Sequence, residues 1–411
     1  MLKSTLSILR YVPYWLTVIF VSIGLISCGG GGGGSSGGGS PGPAAVAECM
    51  QFLSGYTWGS VRSADITLGG ETASNAMIQI IGDPATPKAP FACSSTGPAW
   101  NSVQSLGAKG VIGISTFAQD CGQGCSAQPS NGFYYSCTGS KCSPIAVSIA
   151  NQVWNPVALF AADNNGTIIS LPGVPSTGAT QVNGTLTFGI GTQANNGLGS
   201  APVLPVDSVY GEFSSSVSGT AYPGSFIDSG SNGLFYGANL FLPCTAFVGF
   251  YCPPTPQAQS GFLDPSGVSV PVSFTVSNPQ LLAATITADA ELAGPGFGGV
   301  DWGLPFFFGH SIYTAIEGMS IPTAVNGPWV GIGGGSVSSG ANQIPVLVDA
   351  GPSGANAINA LYASITLCAP GSTTNCQTID HLLVDTGSSG VRVLSSVLQP
   401  GLLTALPQST P

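Results

Sequence analysis

Charge is scarce in this chain. Only 6% of its 411 residues are charged, and 7 Lys+Arg against 17 Asp+Glu give a formal net charge of −10. The basic residues, Lys3, Arg10, Arg62, Lys88, Lys109, Lys141 and Arg392, are scattered. No basic stripe follows a phosphate backbone, which argues against nucleic acid as a partner. Histidine is limited to His310 and His381. Neither sits at ligand spacing from the cysteines, so no metal centre is expected. No Gly-x-Ser-x-Gly elbow accompanies them, which weakens a Ser–His hydrolase reading. No cofactor motif is read. Long helical periodicities are also few. The abundant components are 60 Gly, 32 Pro and 43% apolar residues. A chain this apolar folds rather than staying disordered. Its short Val-, Thr-, Ser- and Gly-rich runs predict an all-β architecture with few short helices.

At the N-terminus, Lys3 and Arg10 border a mostly apolar stretch from Tyr11 to Ser27, closed by Leu25-Ile26-Ser27-Cys28. This resembles a bacterial lipoprotein signal, with a plain membrane anchor as the alternative. The resemblance implies a signal peptide over residues 1–27, lipidation (palmitate) of Cys28 and a Gly/Ser tether over 28–43. The expected location is the bacterial cell envelope, with the lipid membrane as a partner through Cys28. Gly29 stands where an Asp commonly signals inner-membrane retention, which favours the outer membrane.

Of 11 cysteines, removing Cys28 leaves ten. An even number in an exported chain predicts disulfides. Cys244–Cys252 and Cys368–Cys376 are local candidates and Cys49–Cys93 a third. Cys121, Cys125, Cys137 and Cys142 allow three pairings.

Strands are predicted at Ala64–Gly70, Ala76–Gly82, Gly110–Ile114 and Thr185–Gly189. The segment Pro144–Val153 carries apolar residues at helical spacing behind a proline suited to a helix start. Asp163-Asn164-Asn165-Gly166 reads as a turn.

Two segments repeat one pattern. Phe226-Ile227-Asp228-Ser229-Gly230-Ser231-Asn232-Gly233 and Leu383-Val384-Asp385-Thr386-Gly387-Ser388-Ser389-Gly390 each give an apolar pair, Asp, hydroxyl residue, Gly, Ser, a small polar residue and Gly. A duplicated unit that brings two such loops together would set Asp228 and Asp385 on one water. Like charges at that distance share a proton, so one carboxyl serves as base and the other as acid.

With these loops the chain resembles the pepsin-like, bilobal aspartic peptidases, related to retropepsins. In that family each lobe has Asp-Thr/Ser-Gly and, later, two apolar residues and Gly. Val111-Ile112-Gly113 and Phe307-Phe308-Gly309 are the candidates for the later elements. Pro144–Phe160 and Thr185–Gly189 resemble the helix and strand closing a first lobe. Phe52 to Gly70 loosely resembles the flap hairpin, with Tyr56 or Trp58 as candidate cover over substrate. By carry-over, Thr386 and Ser229 brace the loops, Ser388 and Ser231 orient the carboxylates, and Gly387 and Gly230 allow close approach. The tethered lipobox and these motifs together also resemble a family of bacterial lipoproteins classed only as a domain of unknown function.

The order differs from a pepsin's, because the flap segment comes first and the Asp385 loop last. Joining Pro411 to Ala44 restores it, so the chain reads as a circular permutant. On that reading residues 44–200 and 342–411 build lobe 1, residues 201–332 build lobe 2, and the Gly/Ser stretch 333–341 links them. The resemblance implies a membrane-tethered monomeric aspartic endopeptidase with a polypeptide substrate. The alternatives are a non-catalytic envelope lipoprotein holding peptides or polymers in its interlobe cleft, and a structural surface protein.

Overall fold

The structure, a computed structural model, describes residues 44–411 apart from 130–131, 265–266, 297, 323 and 335–338. The signal, Cys28 and the tether lie outside the described residues. The chain is mostly β, in two sheets of 15 and 7 strands.

Within the larger sheet six strands form a closed ring. In order they are Gly55–Leu68, Glu71–Ile81, Ser389–Leu394, Gly110–Ile114, Cys376–Asp385 and Leu361–Cys368, and the last returns to the first through Asp65–Thr67. Closure leaves the ring without unpaired edges. Its sequence pattern follows from burial. In Gly55–Leu68 the far half alternates, with Ala64, Ile66 and Leu68 facing the core. Gly110–Ile114 and Ser389–Leu394 are buried at every position, as expected of strands covered on both faces. From Leu361–Cys368 the sheet continues through Gln343–Val348, Val182–Phe188, Gly166–Ser170, His310–Ala315, Trp329–Gly334 and Val203–Pro205.

The smaller sheet runs Val270–Val276, Gln257–Leu263, Phe213–Val217, Thr220–Ile227, Asp301–Trp302, Leu234–Phe235 and Ala293–Gly294. One apolar cluster joins both sheets, from Ile112 and Val391 to Trp302 and Phe307. The strands His310–Ala315 and Trp329–Gly334, read in the sequence as the end of lobe 2, are hydrogen-bonded into the larger sheet.

Among the described residues there are five disulfides: Cys121–Cys125, Cys137–Cys142, Cys244–Cys252 and Cys368–Cys376 close local loops, and Cys49–Cys93 ties more distant segments. The helix expected from Pro144 does not form. Pro144 ends a strand, and only Ile149–Asn151 makes a 3-10 turn. Here Ile145 N–H donates to Tyr134 O (3.0 Å) and Val147 N–H to Cys125 O (2.9 Å), so the backbone bonds run outward to neighbouring segments. Tertiary pairing overrides the helical spacing.

The last residues return to the first strand. Val46 N–H donates to Ser409 O and Ser409 N–H to Val61 O, both at 2.9 Å. Among the described residues no helix is long and apolar enough to cross a membrane.

Candidate active site

Two copies of one small topology carry the repeated loops. The strand Cys376–Asp385 ends on its aspartate, the chain turns through Thr386-Gly387-Ser388, and it returns as Ser389–Leu394. Gly110–Ile114 is wedged between these arms, parallel to the first and antiparallel to the second, with Gly113 opposite both Asp385 and Gly390. In the smaller sheet Thr220–Ile227 leads to Asp228 and returns as Leu234–Phe235. There Asp301–Trp302 is the wedge, again parallel to one arm and antiparallel to the other. Asp228 N–H donates to Trp302 O at 3.1 Å, which places Gly303 where Gly113 lies in the first copy. A Cβ on Gly303 would stand 2.2 Å from Gly233 O, and one on Gly113 2.8 Å from the Ser389 carbonyl carbon, so both positions need glycine.

Val111-Ile112-Gly113 thus forms the first wedge, but Phe307-Phe308-Gly309 does not form the second. Leu304–Phe307 is a 3-10 turn leading into His310–Ala315, which pairs in the larger sheet. The second wedge is Asp301-Trp302-Gly303. Its aspartate stands where an apolar residue was sought, and for that reason sequence reasoning missed it.

The two loops grip each other tip to tip. Ser229 N–H donates to Thr386 Oγ1 (2.9 Å) and Thr386 N–H to Ser229 Oγ (3.1 Å). Each hydroxyl then donates across the junction, Ser229 to Val384 O (2.7 Å) and Thr386 to Ile227 O (3.2 Å). All four donors are used. Thr386→Val should therefore strand the fully buried Ser229 N–H and destabilise the protein by about 1–3 kcal/mol, read from urea unfolding.

This junction sets the carboxyls face to face. Gly230 N–H donates to Asp228 Oδ1 (2.7 Å) and Gly387 N–H to Asp385 Oδ1 (2.8 Å). Ser231 Oγ donates to Asp228 Oδ2 at 2.9 Å, and Ser388 Oγ donates to Asp385 Oδ2. Each loop glycine faces the opposite carboxyl. A Cβ on Gly230 would lie 2.6 Å from Asp385 Oδ1, and one on Gly387 2.9 Å from Asp228 Oδ1. Burial, then the facing Asp385 and then Asp301 hold the Asp228 carboxyl well above the ordinary carboxylate range. Two carboxyls in that position repel each other when both are ionised.

Both loops open on a cleft of about 820 Å³. Its wall includes Met50, Phe52, Leu53 and Ser54, the tip of the hairpin joining Ala45–Phe52 to Gly55–Leu68, with Leu53 56% exposed. Tyr56 and Trp58 lie elsewhere on this hairpin. They pack with Cys49, Cys93 and Tyr135, and Trp58 Nε1–H donates to Pro87 O at 2.7 Å. The aromatic side chain that this hairpin brings to the cleft is Phe52, stacked on Trp100 at 4.9 Å. Its sequence signal was the turn at Leu53-Ser54 rather than the aromatic pair beyond it. Among the described residues no group of three or more His, Cys, Asp and Glu side chains is placed to hold a metal ion.

A family model matches residues 35–331 and 338–411. The chain belongs to that family, DUF3443, described as proteins of unknown function. No curated protein matches it. In this DUF3443 protein each of the two matched segments carries one aspartate loop.

Proposed function

We propose that this protein is an aspartic endopeptidase of pepsin-like, circularly permuted fold, tethered to the bacterial envelope through a lipid on Cys28. The observation that carries this reading is the reciprocal Ser229–Thr386 bonding, which turns two chemically matched loops into one site with facing carboxyls. A structural tie between sheets needs the hydroxyls but has no use for two facing acids whose charges oppose each other. The large cleft beside them and the hairpin tip over it supply room for an extended polypeptide. The permuted order is supported by the bonding of Ser409 to Val46 and Val61, which puts the C-terminal residues beside the first described strand.

The chemistry follows from a pair holding one proton. The ionised carboxyl takes a proton from a water as its oxygen bonds to the scissile carbonyl carbon. The protonated carboxyl gives its proton to the carbonyl oxygen. Collapse of this tetrahedral species breaks the C–N bond: the nitrogen leaves with a proton from the pair, and one hydroxyl of the diol returns its proton to the pair as the new carboxyl forms. The loop N–H and Ser hydroxyl donors on each carboxyl fix its orientation through the cycle.

The test is digestion of an unfolded, casein-type substrate from acid to neutral pH, with and without a statyl inhibitor. Cleavage blocked by the inhibitor is expected. Retention of peptides without cleavage at any pH would replace this reading with that of a peptide-binding envelope lipoprotein.

A further inference from the structure

The second wedge carries a carboxyl that the paired loops do not require. Asp301 lies opposite Phe226 and Phe235, whereas the matching residue of the first wedge, Val111, lies opposite Leu383 and Arg392. Asp301 is only 6% exposed, and its Oδ1 has no hydrogen-bond partner. Ser231 is hydrogen-bonded to it, and the Ser231 hydroxyl also donates to Asp228 Oδ2 at 2.9 Å. A hydroxyl has a single proton to give. With that proton on Asp228, Ser231 offers Asp301 only a lone pair, and only a protonated Asp301 can use it.

We propose that Asp301 is a positioning residue of this site. As a neutral acid it donates to Ser231 and so keeps the Ser231 proton directed at Asp228. On ionising it draws that proton to itself and switches the site off. The proposal rests on the peptidase reading and adds a third carboxyl to it.

The surroundings favour the neutral form. Phe226 and Phe235 flank Asp301 with apolar rings, and the nearest ionisable groups are Asp228 and Asp385. Tyr210 and Glu212 also line the cleft, and no Lys, Arg or His is among the described residues that line it. Every charge facing Asp301 is therefore negative. Burial first, with Asp385 adding to it, pushes its carboxyl up to about 8, against the opposing effect of Ser231. Below that value Asp301 is neutral and the chain of donors is intact. Above it the chain is reversed.

The experiment compares the kcat/KM–pH profiles of the wild-type protein, Asp301→Asn and Asp301→Val. Asparagine keeps a donor for Ser231 but cannot ionise, so its alkaline half-point should rise by about one pH unit or more while the acid limb stays in place. Valine, the first wedge's residue type, removes the donor as well and should lower kcat across the range without a fall near neutrality. An alkaline limb unchanged in Asp301→Asn overturns the proposal. Carbon-13 NMR of Asp-labelled protein separates this outcome from failure of the peptidase reading. A carboxyl titrating at the elevated value, lost in Asp301→Asn and displaced in Ser231→Ala, supports the link even if no substrate is cut. The absence of any such titration overturns it.

Discussion

Asp385→Asn and Asp228→Asn are each expected to lower kcat/KM for peptide hydrolysis by at least about a thousandfold. Asparagine has the same shape, and its carbonyl oxygen still accepts the loop N–H that each carboxyl accepts now, from Gly387 or Gly230. What it lacks is the ability to hold or release the shared proton. Either variant therefore leaves a carboxyl with no partner to complete the exchange, and the double variant should be no worse than the singles because the pair acts as one unit. Folding should survive, since the cross-loop bonds use Ser229 and Thr386 rather than the acids. The check is digestion of unfolded substrate by each variant, with near-ultraviolet circular dichroism to confirm native packing. Full activity in both variants would remove the pair from the mechanism.

The largest loss of stability is expected from Arg392→Ala. Arg392 sits on the return arm of the Asp385 loop with its side chain fully buried, 2.5 Å from Glu48 Oε1 and 3.6 Å from Asp120 Oδ2. It also donates to Ser389 O at 2.8 Å, which fixes the residue next to Ser388. Tyr134 completes the cluster, donating to both Asp120 oxygens at 2.8 Å while accepting from Val153 N–H at 2.7 Å. Burial and the neighbouring Glu48 already push the Asp120 carboxyl well above its ordinary range, and Arg392 opposes that shift. Truncating the guanidinium leaves two buried acids without their cation, a cost of about 3–5 kcal/mol. Denaturant unfolding measures it. Glu48→Gln combined with Arg392→Met should recover part of the loss, because it removes one of the two acids left without the cation.

The sequence made the duplication legible because chemistry, not packing, dictates the residues at those loops. An aspartate, a hydroxyl, a glycine and a serine recur where a carboxyl must be held, a junction bonded and a backbone brought close. The all-β character and the local cysteine pairs were legible for similarly local reasons, since alternation and short separation are properties of neighbouring residues. Positions set by long-range pairing were not. Asp301 occupies a slot that differs in type between the two wedges, so a search for two apolar residues passed over it. Tyr56 and Trp58 look like the cover of a cleft until the hairpin's face is known, and that face is set by packing against Cys49–Cys93. The spacing over Pro144–Val153 fits a helix equally well until Tyr134 and Cys125 claim its N–H groups.

The return of the Asp385 loop to strands near the other end of the chain has a consequence for synthesis. Gly110–Ile114 has Cys376–Asp385 on one side and Ser389–Leu394 on the other, so neither of its flanks is covered until the chain is almost finished. Pairings across such separations form slowly and late. The segment bearing Asp228 is made well before the one bearing Asp385, and a nascent chain holds only one of the two facing carboxyls. A polypeptide built this way carries its own delay: the chemistry proposed for it has no complete site until the closing strands are in place.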